Sequence, residues 1–320
     1  MITIKKNTKD KKIKLLHCRK QQKKMFCVLY TFDMKPKCQN SSNEYLMLVA
    51  SIRSVFDSLQ EPHAPRKIIV TVYTTQDQIR TFLWSDFGNA VHVEKVQPSN
   101  RSRDIDASTF TAIGHERVVA IPDLLTAGYS VLYLDNDTLI IPGIWASLTK
   151  QQRPKCYTHE TWQTMASWLE RINKLESVLE MFPVVVKYMS NQIINNGVQF
   201  YPQKSHLSRD IALRTRDLYH QLDSRCGYSY GFDQVAYSLA VYELLPNIAS
   251  FYTIDTGCED VWHAYQSKRN YCSNLKFIGL VFIPDVGSNI KQVVGIYDKL
   301  LQDSIETGVM RSYNTVCGGK

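Results

Sequence analysis

The segment Ser130–Ile141, SVLYLDNDTLII, sets an apolar run directly against two carboxylates and then resumes an apolar run. Val131, Leu132, Tyr133 and Leu134 leave no polar face, the pattern of a strand buried on both sides. Asp135 and Asp137 therefore mark the end of that strand. Alternate side chains of an extended segment share a face, so the two acids are presented side by side at its mouth. A hard cation such as Mg²⁺ or Mn²⁺ takes oxygen ligands, and a diphosphate bound to it supplies the rest of the shell. A strand running into a solvated Asp-Asn-Asp turn fits the same residues, so the triplet alone leaves both readings open.

The chain has 320 residues, enough to bury a full α/β core. With 44% hydrophobic and 21% charged residues it has the make-up of an ordinary globular protein. The net charge of +8 is unevenly distributed: residues 1–24 hold ten Lys or Arg and one Asp, and the remainder is nearly neutral. Residues 1–24 are expected to form a basic flexible tail, either a solubilising extension or an address to anionic lipid. The tail lacks the aromatic interleaving of a single-strand nucleic-acid surface, so no specific nucleic-acid partner is expected. The run Cys27–Tyr30 is too short for a secretory signal, and no stretch of about 18 apolar residues marks a membrane span. The eight Cys form no CxxC pair, which argues against zinc and for a reduced compartment. A cytoplasmic protein is expected, with peripheral association at a membrane as the role open to the tail.

Alternation of strand and helix runs from Phe26 to the acidic strand. Strands are expected at Phe26–Phe32, Lys67–Tyr73 and Val91–Val96, with helices at Tyr45–Leu59 and Thr75–Phe87. Asp33–Asn43 reads as a loop, and Thr109–Leu125 as helical in parts. Short links between such elements predict a mostly parallel sheet with helices on both faces. Beyond Pro142 the rhythm changes. Glu160–Tyr188 is expected to be largely helical and broken near Pro183, Asn195–Tyr201 and Ala249–Ile254 to be strands, and Asp233–Leu244 a helix. Leu275–Pro284 returns to apolar character.

The stretch HERVVAIPDLLTAGYSVLYLDNDTLII, with Arg117 on a helix, then Pro122, Asp123, Leu124–Leu125 and the aspartate strand, resembles the acidic-motif region of GT-A glycosyltransferases. The likeness is greatest to the retaining family that contains glycogenin and bacterial lipopolysaccharide galactosyltransferases. It runs in coherent order from about Phe26 to Lys268. The resemblance implies an α/β, GT-A (nucleotide-diphospho-sugar transferase) fold. It implies one catalytic domain over 25–320, with a donor-nucleotide half at about 25–145 and an acceptor-side half at about 146–320.

The resemblance also implies a site. Asp135 and Asp137 would hold Mn²⁺, with Mg²⁺ as the alternative, and Asn136 would lie beside the donor. In ASFYTIDTGCEDVWHAYQSK, His263 would complete the metal shell and Lys268 would touch the diphosphate. The interval from His263 to Lys268 is one residue shorter than in the family, and the usual Gly and Lys-Pro-Trp are missing. Tyr30 and Thr31, at the end of the first strand, would meet the base and ribose. Arg117 offers the planar fork of donors that suits phosphate. Asn196 and Gly197 resemble the family's Asn-x-Gly segment, although Asn195 fits the same role, and Gly231-Phe232-Asp233-Gln234 resembles its Asp-Gln pair. Asp233 would orient sugar hydroxyls and Gln234 would face the reacting centre. Structural roles suit several of these residues equally: a strand-end Tyr in the core, an Asp capping a helix, an NNG turn.

The activity implied is metal-dependent transfer of a hexosyl or pentosyl group from a nucleoside diphosphate sugar. The expected donor is a UDP-sugar, and the acceptor a hydroxyl on a glycan, protein or lipid, with retention. An inverting enzyme would need an acceptor-side carboxylate, for which Glu160, Glu170 and Asp260 are available. The rivals are a non-catalytic binding module with the same fold and a sugar nucleotidyltransferase. The latter calls for a Gly-rich loop after the first strand, and Asp33–Asn43 has no Gly.

Overall fold

The run Phe26–Tyr30 has no polar residue, and it forms the centre of β1 (Met25–Thr31), buried on both faces. The computed structural model describes residues 25–33, 38–97, 105–136, 138–140, 144–156, 160–227, 229, 231–245 and 277–279. β1 lies between β2 (Ile68–Thr74) and β4 (Tyr129–Leu134), parallel to both, and β3 (Val91–Lys95) adds in parallel beyond β2. On the far side of β4, β9 (Val198–Tyr201) runs antiparallel and is followed by β6 (Lys155–Cys156). The six-stranded order is β3-β2-β1-β4-β9-β6, mostly parallel as expected.

Period-two alternation divides the central strands between two helical layers. Phe26, Val28 and Tyr30 of β1 and Leu132 and Leu134 of β4 pack with α1 (Cys38–Ser58), α2 (Asp77–Phe87) and α4 (Ile144–Leu148). Leu29, Val131 and Tyr133 face the other way, against α3 (Ile105–Thr126), α7 (His206–Cys226) and α8 (Phe232–Leu244). Helices thus cover both faces of the sheet.

A further core joins Val118 of α3 to α5 (Met165–Arg171), α6 (Leu175–Met181), the 3₁₀ turn Pro183–Tyr188, α7 and α8. Two small sheets complete the described residues: β5 (Thr138–Ile140) pairs with β10 (Phe277–Gly279), and β7 (Glu160–Thr164) with β8 (Gln192–Ile194).

The structure departs from the expected elements at four places. α1 begins at Cys38, inside the segment read as a loop. Ile105–Thr126 is one continuous helix that contains Pro122. Glu160–Thr164 is a strand, because its backbone pairs with β8 and edge pairing outweighs local propensity. α7 was not anticipated, since charged residues dilute its apolar stripe. That stripe, Ile211, Leu218, Leu222 and Cys226, is nonetheless buried at helical spacing, and Ser205 caps the helix by accepting from the Ser208 amide. The strand expected at Ala249–Ile254 lies outside the described residues.

Candidate functional site

Between β1 and β4 the chain order reverses: β2 and β3 build outward from one side of β1, and β4 adds on the other. In open α/β sheets a crevice forms at the carboxyl ends of such a pair, because successive crossovers leave to opposite faces. Thr31 ends β1 at that crevice and Asp135 follows β4.

Asp135 is fixed from three directions. Its amide donates to the Gly197 carbonyl at 2.8 Å, extending the β4–β9 pairing one residue past the strand. The Tyr133 hydroxyl donates to its Oδ1 at 2.8 Å. The Thr31 hydroxyl lies 3.3 Å from that of Tyr133 and, because the phenolic proton points at Asp135, donates to it. Its Oδ2 lies against Gly197, where a Cβ would come within 2.5 Å of that oxygen. The absence of a side chain at 197 is therefore what admits the carboxylate. With 41% of its side chain exposed, Asp135 reaches solvent while remaining held.

Behind it, α3 delivers Arg117. The guanidinium sits over the Tyr133 ring at 4.7 Å, 3.6 Å from Asp135 Oδ1, and pairs directly with Asp233 Oδ2. Burial works against the Arg117 charge, but Tyr133 and Asp135 facing it hold its pKa above the ordinary range. Burial likewise raises the Tyr133 phenol, so Tyr133 serves as a neutral donor. Asn196 Nδ2 donates to Asp233 Oδ2 at 3.3 Å. Asp233 lies in the first turn of α8, where the helix end favours a negative charge, and Gln234 beside it is partly exposed. Arg117, Asn196, Gln199, Tyr201, Asp233 and Tyr237 border a cavity of ≈ 10 Å³, room for about one water and none for a nucleotide. A ligand at this site therefore approaches from the Asp135 side.

Thr31, Arg117, Asp135, Asn196, Gly197 and Asp233 thus converge. Tyr30 does not join them. It is fully buried on the α1 face, with its hydroxyl 2.9 Å from that of Ser51, so its ring fills core rather than the crevice. Asn136 occupies the turn after Asp135, partly exposed. Asp123 is exposed and faces Arg216 at 3.9 Å, and His115 packs on His220 instead of the carboxylates. Asp137, His263 and Lys268 lie outside the described residues, as does Asp260. Tyr133 carries more of the site than its sequence position suggested. The signal was an aromatic two residues before the acid, hence on the same face. Asp33, one residue past Phe32, is a second carboxylate at the strand ends and, unlike Asp135, is buried. It accepts from the Thr75 amide at 2.8 Å and the Thr75 hydroxyl at 2.6 Å, and burial raises its pKa.

Among the described residues no three His, Cys, Asp or Glu side chains are grouped to hold a metal ion. Of the three expected ligands only Asp135 is described, and it meets the requirement for one of them: a solvent-reaching oxygen donor held in place by its neighbours. Among the described residues no helix is long and apolar enough to cross a membrane. Cys27, Cys156 and Cys226 are buried thiols outside any disulfide, and burial pushes Cys27 up to about 12.

No family model and no curated protein matches the chain. Among solved structures it is similar to the galactosyltransferase LgtC in complex with donor and acceptor sugar analogs. That likeness has 14% identity, covers 87% of this chain and 95% of that one, and has a TM-score of 0.44. It is similar to the apo-form glycosyltransferase GlyE of Streptococcus pneumoniae TIGR4, at 13% identity over 89% of this chain and 64% of that one, TM-score 0.40. Mouse xyloside xylosyltransferase 1 is similar at 10% identity over 80% of this chain and 97% of that one, TM-score 0.40. At these identities and scores the likenesses assign neither a reaction nor a substrate.

Proposed function

We propose that this protein is a metal-dependent glycosyltransferase that moves a hexosyl or pentosyl group from a nucleoside diphosphate sugar, UDP-linked in the first instance, to a hydroxyl acceptor. The observation that carries the reading is Asp135: a held, solvent-reaching carboxylate at the switch point between β1 and β4. The sequence resemblance supplies the reaction class, since a sheet crevice alone hosts many chemistries.

In this reading Asp135, Asp137 and His263 hold Mn²⁺, which when bound neutralises charge on the departing diphosphate. Tyr133 aims Asp135 by a hydrogen bond of 2.8 Å, and Thr31 fixes the Tyr133 hydroxyl while facing the nucleotide. Arg117 is 8% exposed and committed to carboxylates. It acts through them, holding Asp135 and Asp233 in register. Asn196 and Asp233 form the sugar side, and Gln234, next on the helix, faces the reacting centre. Holding donor and acceptor in attack geometry is the main task of that side. Retention follows the resemblance, and the anomeric configuration of the product tests it.

The deciding experiment is UDP release from a panel of UDP-sugars, with and without Mn²⁺, compared with Asp135→Ala/Asp137→Ala. Metal-dependent release from one donor, lost in the variant, is expected. Folded protein that neither binds UDP nor releases it from any donor would remove the transferase reading.

A further inference from the structure

Asp233 and Gln234 sit at the start of α8, and their position depends on what fixes that helix end. Two sides of the seat are already evident. Arg117 and Asn196 hold the Asp233 carboxylate, and Gly114 of α3 lies alongside it, where a Cβ would make ordinary van der Waals contact at 3.9 Å with Asp233 Cβ and Cγ. The third side is Trp168 of α5. A Cβ on Gly231, the residue that precedes α8, would lie 2.9 Å from Trp168 Nε1 and 3.3 Å from both Cε2 and Cζ2. Gly231 has φ −97° and ψ 4°, a conformation open to any L-residue, so its backbone angles do not call for glycine. The indole does.

Among the described residues the buried Trp168 Nε1–H has no hydrogen-bond partner. An unmet buried donor costs about 1–3 kcal/mol, and native structures rarely leave one without a reason. The partner-less N–H is pressed on a glycine whose carbonyl already accepts the Val235 amide of α8 at 3.3 Å. Trp168 therefore contributes shape rather than a hydrogen bond. Its helix follows β7, which pairs with β8, and β8 leads into Asn195-Asn196-Gly197. One rigid unit thus backs both the Asn196 loop and the α8 end.

We propose that Trp168 is a positioning residue: packed on Gly231, it sets the start of α8 so that Asp233 meets Arg117 and Asn196 and Gln234 faces the sugar. The role rests on the transferase reading for its consequence, but its geometry stands apart from it. A methyl group on Gly231 would meet the indole, so either the half-buried Trp168 ring or the start of α8 must give way; where α8 yields, a misplacement near 1 Å lowers turnover by ten- to about a hundredfold. The nucleotide side, at Thr31 and Asp135, lies on other elements, so the displacement falls first on Asp233 and Gln234.

The test is steric complementation. Gly231→Ala should lower kcat by about tenfold or more while donor KM changes by less than about threefold. Trp168→Ala makes room for the methyl, and combining the two should restore turnover above that of Gly231→Ala alone. A loose packing role without positioning would instead make the two losses multiply. Trp168→Phe, which keeps an aromatic ring, guards against a fold that collapses without one. Amide exchange over Phe232–Ala236 and Gly114–Val118 reads the same coupling without turnover: faster in Gly231→Ala, slowed again in the double variant. Unchanged turnover and exchange in Gly231→Ala, or a double variant worse than either single one, would overturn the proposal. If wild-type protein turned over no donor, the transferase reading would fail and the exchange arm would still decide the role of Trp168.

Discussion

Arg117 illustrates how one side chain organises a site that no single segment contains. Its guanidinium faces Tyr133, Asp135 and Asp233 from a helix that belongs to neither carboxylate. Both partners of the Arg117–Asp233 pair are only 10% exposed in their side chains, so removing one leaves a buried charge unopposed. Loss of a partner from such a pair costs on the order of 3–5 kcal/mol. Arg117→Leu is therefore expected to lower the urea midpoint substantially, and adding Asp233→Asn should return part of the loss. Equal midpoints for Arg117→Leu and wild type would show that the pair contributes nothing. At this scale Asp135 was legible, because an acid after an apolar run reports the end of a buried strand. Tyr133 was not, since an apolar run does not reveal which of its members will find a carboxylate. Tyr30 was read toward the nucleotide, yet the same alternation that exposes Asp135 turns Tyr30 into the α1 layer.

The contact between α3 and α7 brings His115 and His220 to 5.3 Å between ring centroids, edge to face. Burial lowers the pKa of His220, and the nearby His115 and Arg216 push the same way against Asp223 and Asp217. His115 also lies 3.5 Å from Glu116. A histidine with a depressed folded pKa binds fewer protons folded than unfolded, so stability rises with pH across the titration. The stability is fully present above the unfolded value of about 6.5 and is lost as pH falls through the folded pKa. His220→Gln should therefore show a smaller drop in Tm between about pH 7.5 and about pH 5 than wild type. An unchanged drop would assign the acid sensitivity elsewhere. α7 itself was hidden in the sequence by its many charged residues, although its stripe of Ile211, Leu218 and Leu222 and its Ser205 cap were available to read. β7 was hidden for another reason: strand identity there comes from pairing with β8, which is not a property of residues 160–164 alone.

Over the whole molecule, charge is unevenly spread along the sequence. Ten of the basic residues fall in positions 1–24, while the candidate site is built from residues of the nearly neutral remainder. A polybasic segment is attracted to anionic lipid by about 1 kcal/mol per Lys or Arg near the surface, and salt screens the attraction. Removal of residues 1–24 is expected to abolish sedimentation with phosphatidylserine vesicles at low salt and to leave UDP release unchanged. Retained vesicle binding would move the lipid contact to the body, and lost turnover would tie the tail to the site.

Residue order alone dictates that strands and helices alternate, that the sheet is mostly parallel, and that Asp135 ends a buried strand. These are consequences of local periodicity, written in neighbouring residues. It takes the packing of distant segments to bring Arg117, Asn196 and Asp233 together behind Asp135, to set Gly197 where it clears space for that carboxylate, and to lay Trp168 against Gly231. Periodicity fixes which side chains share a face. Which face turns inward, and which distant segment it meets, is settled by packing the layers together.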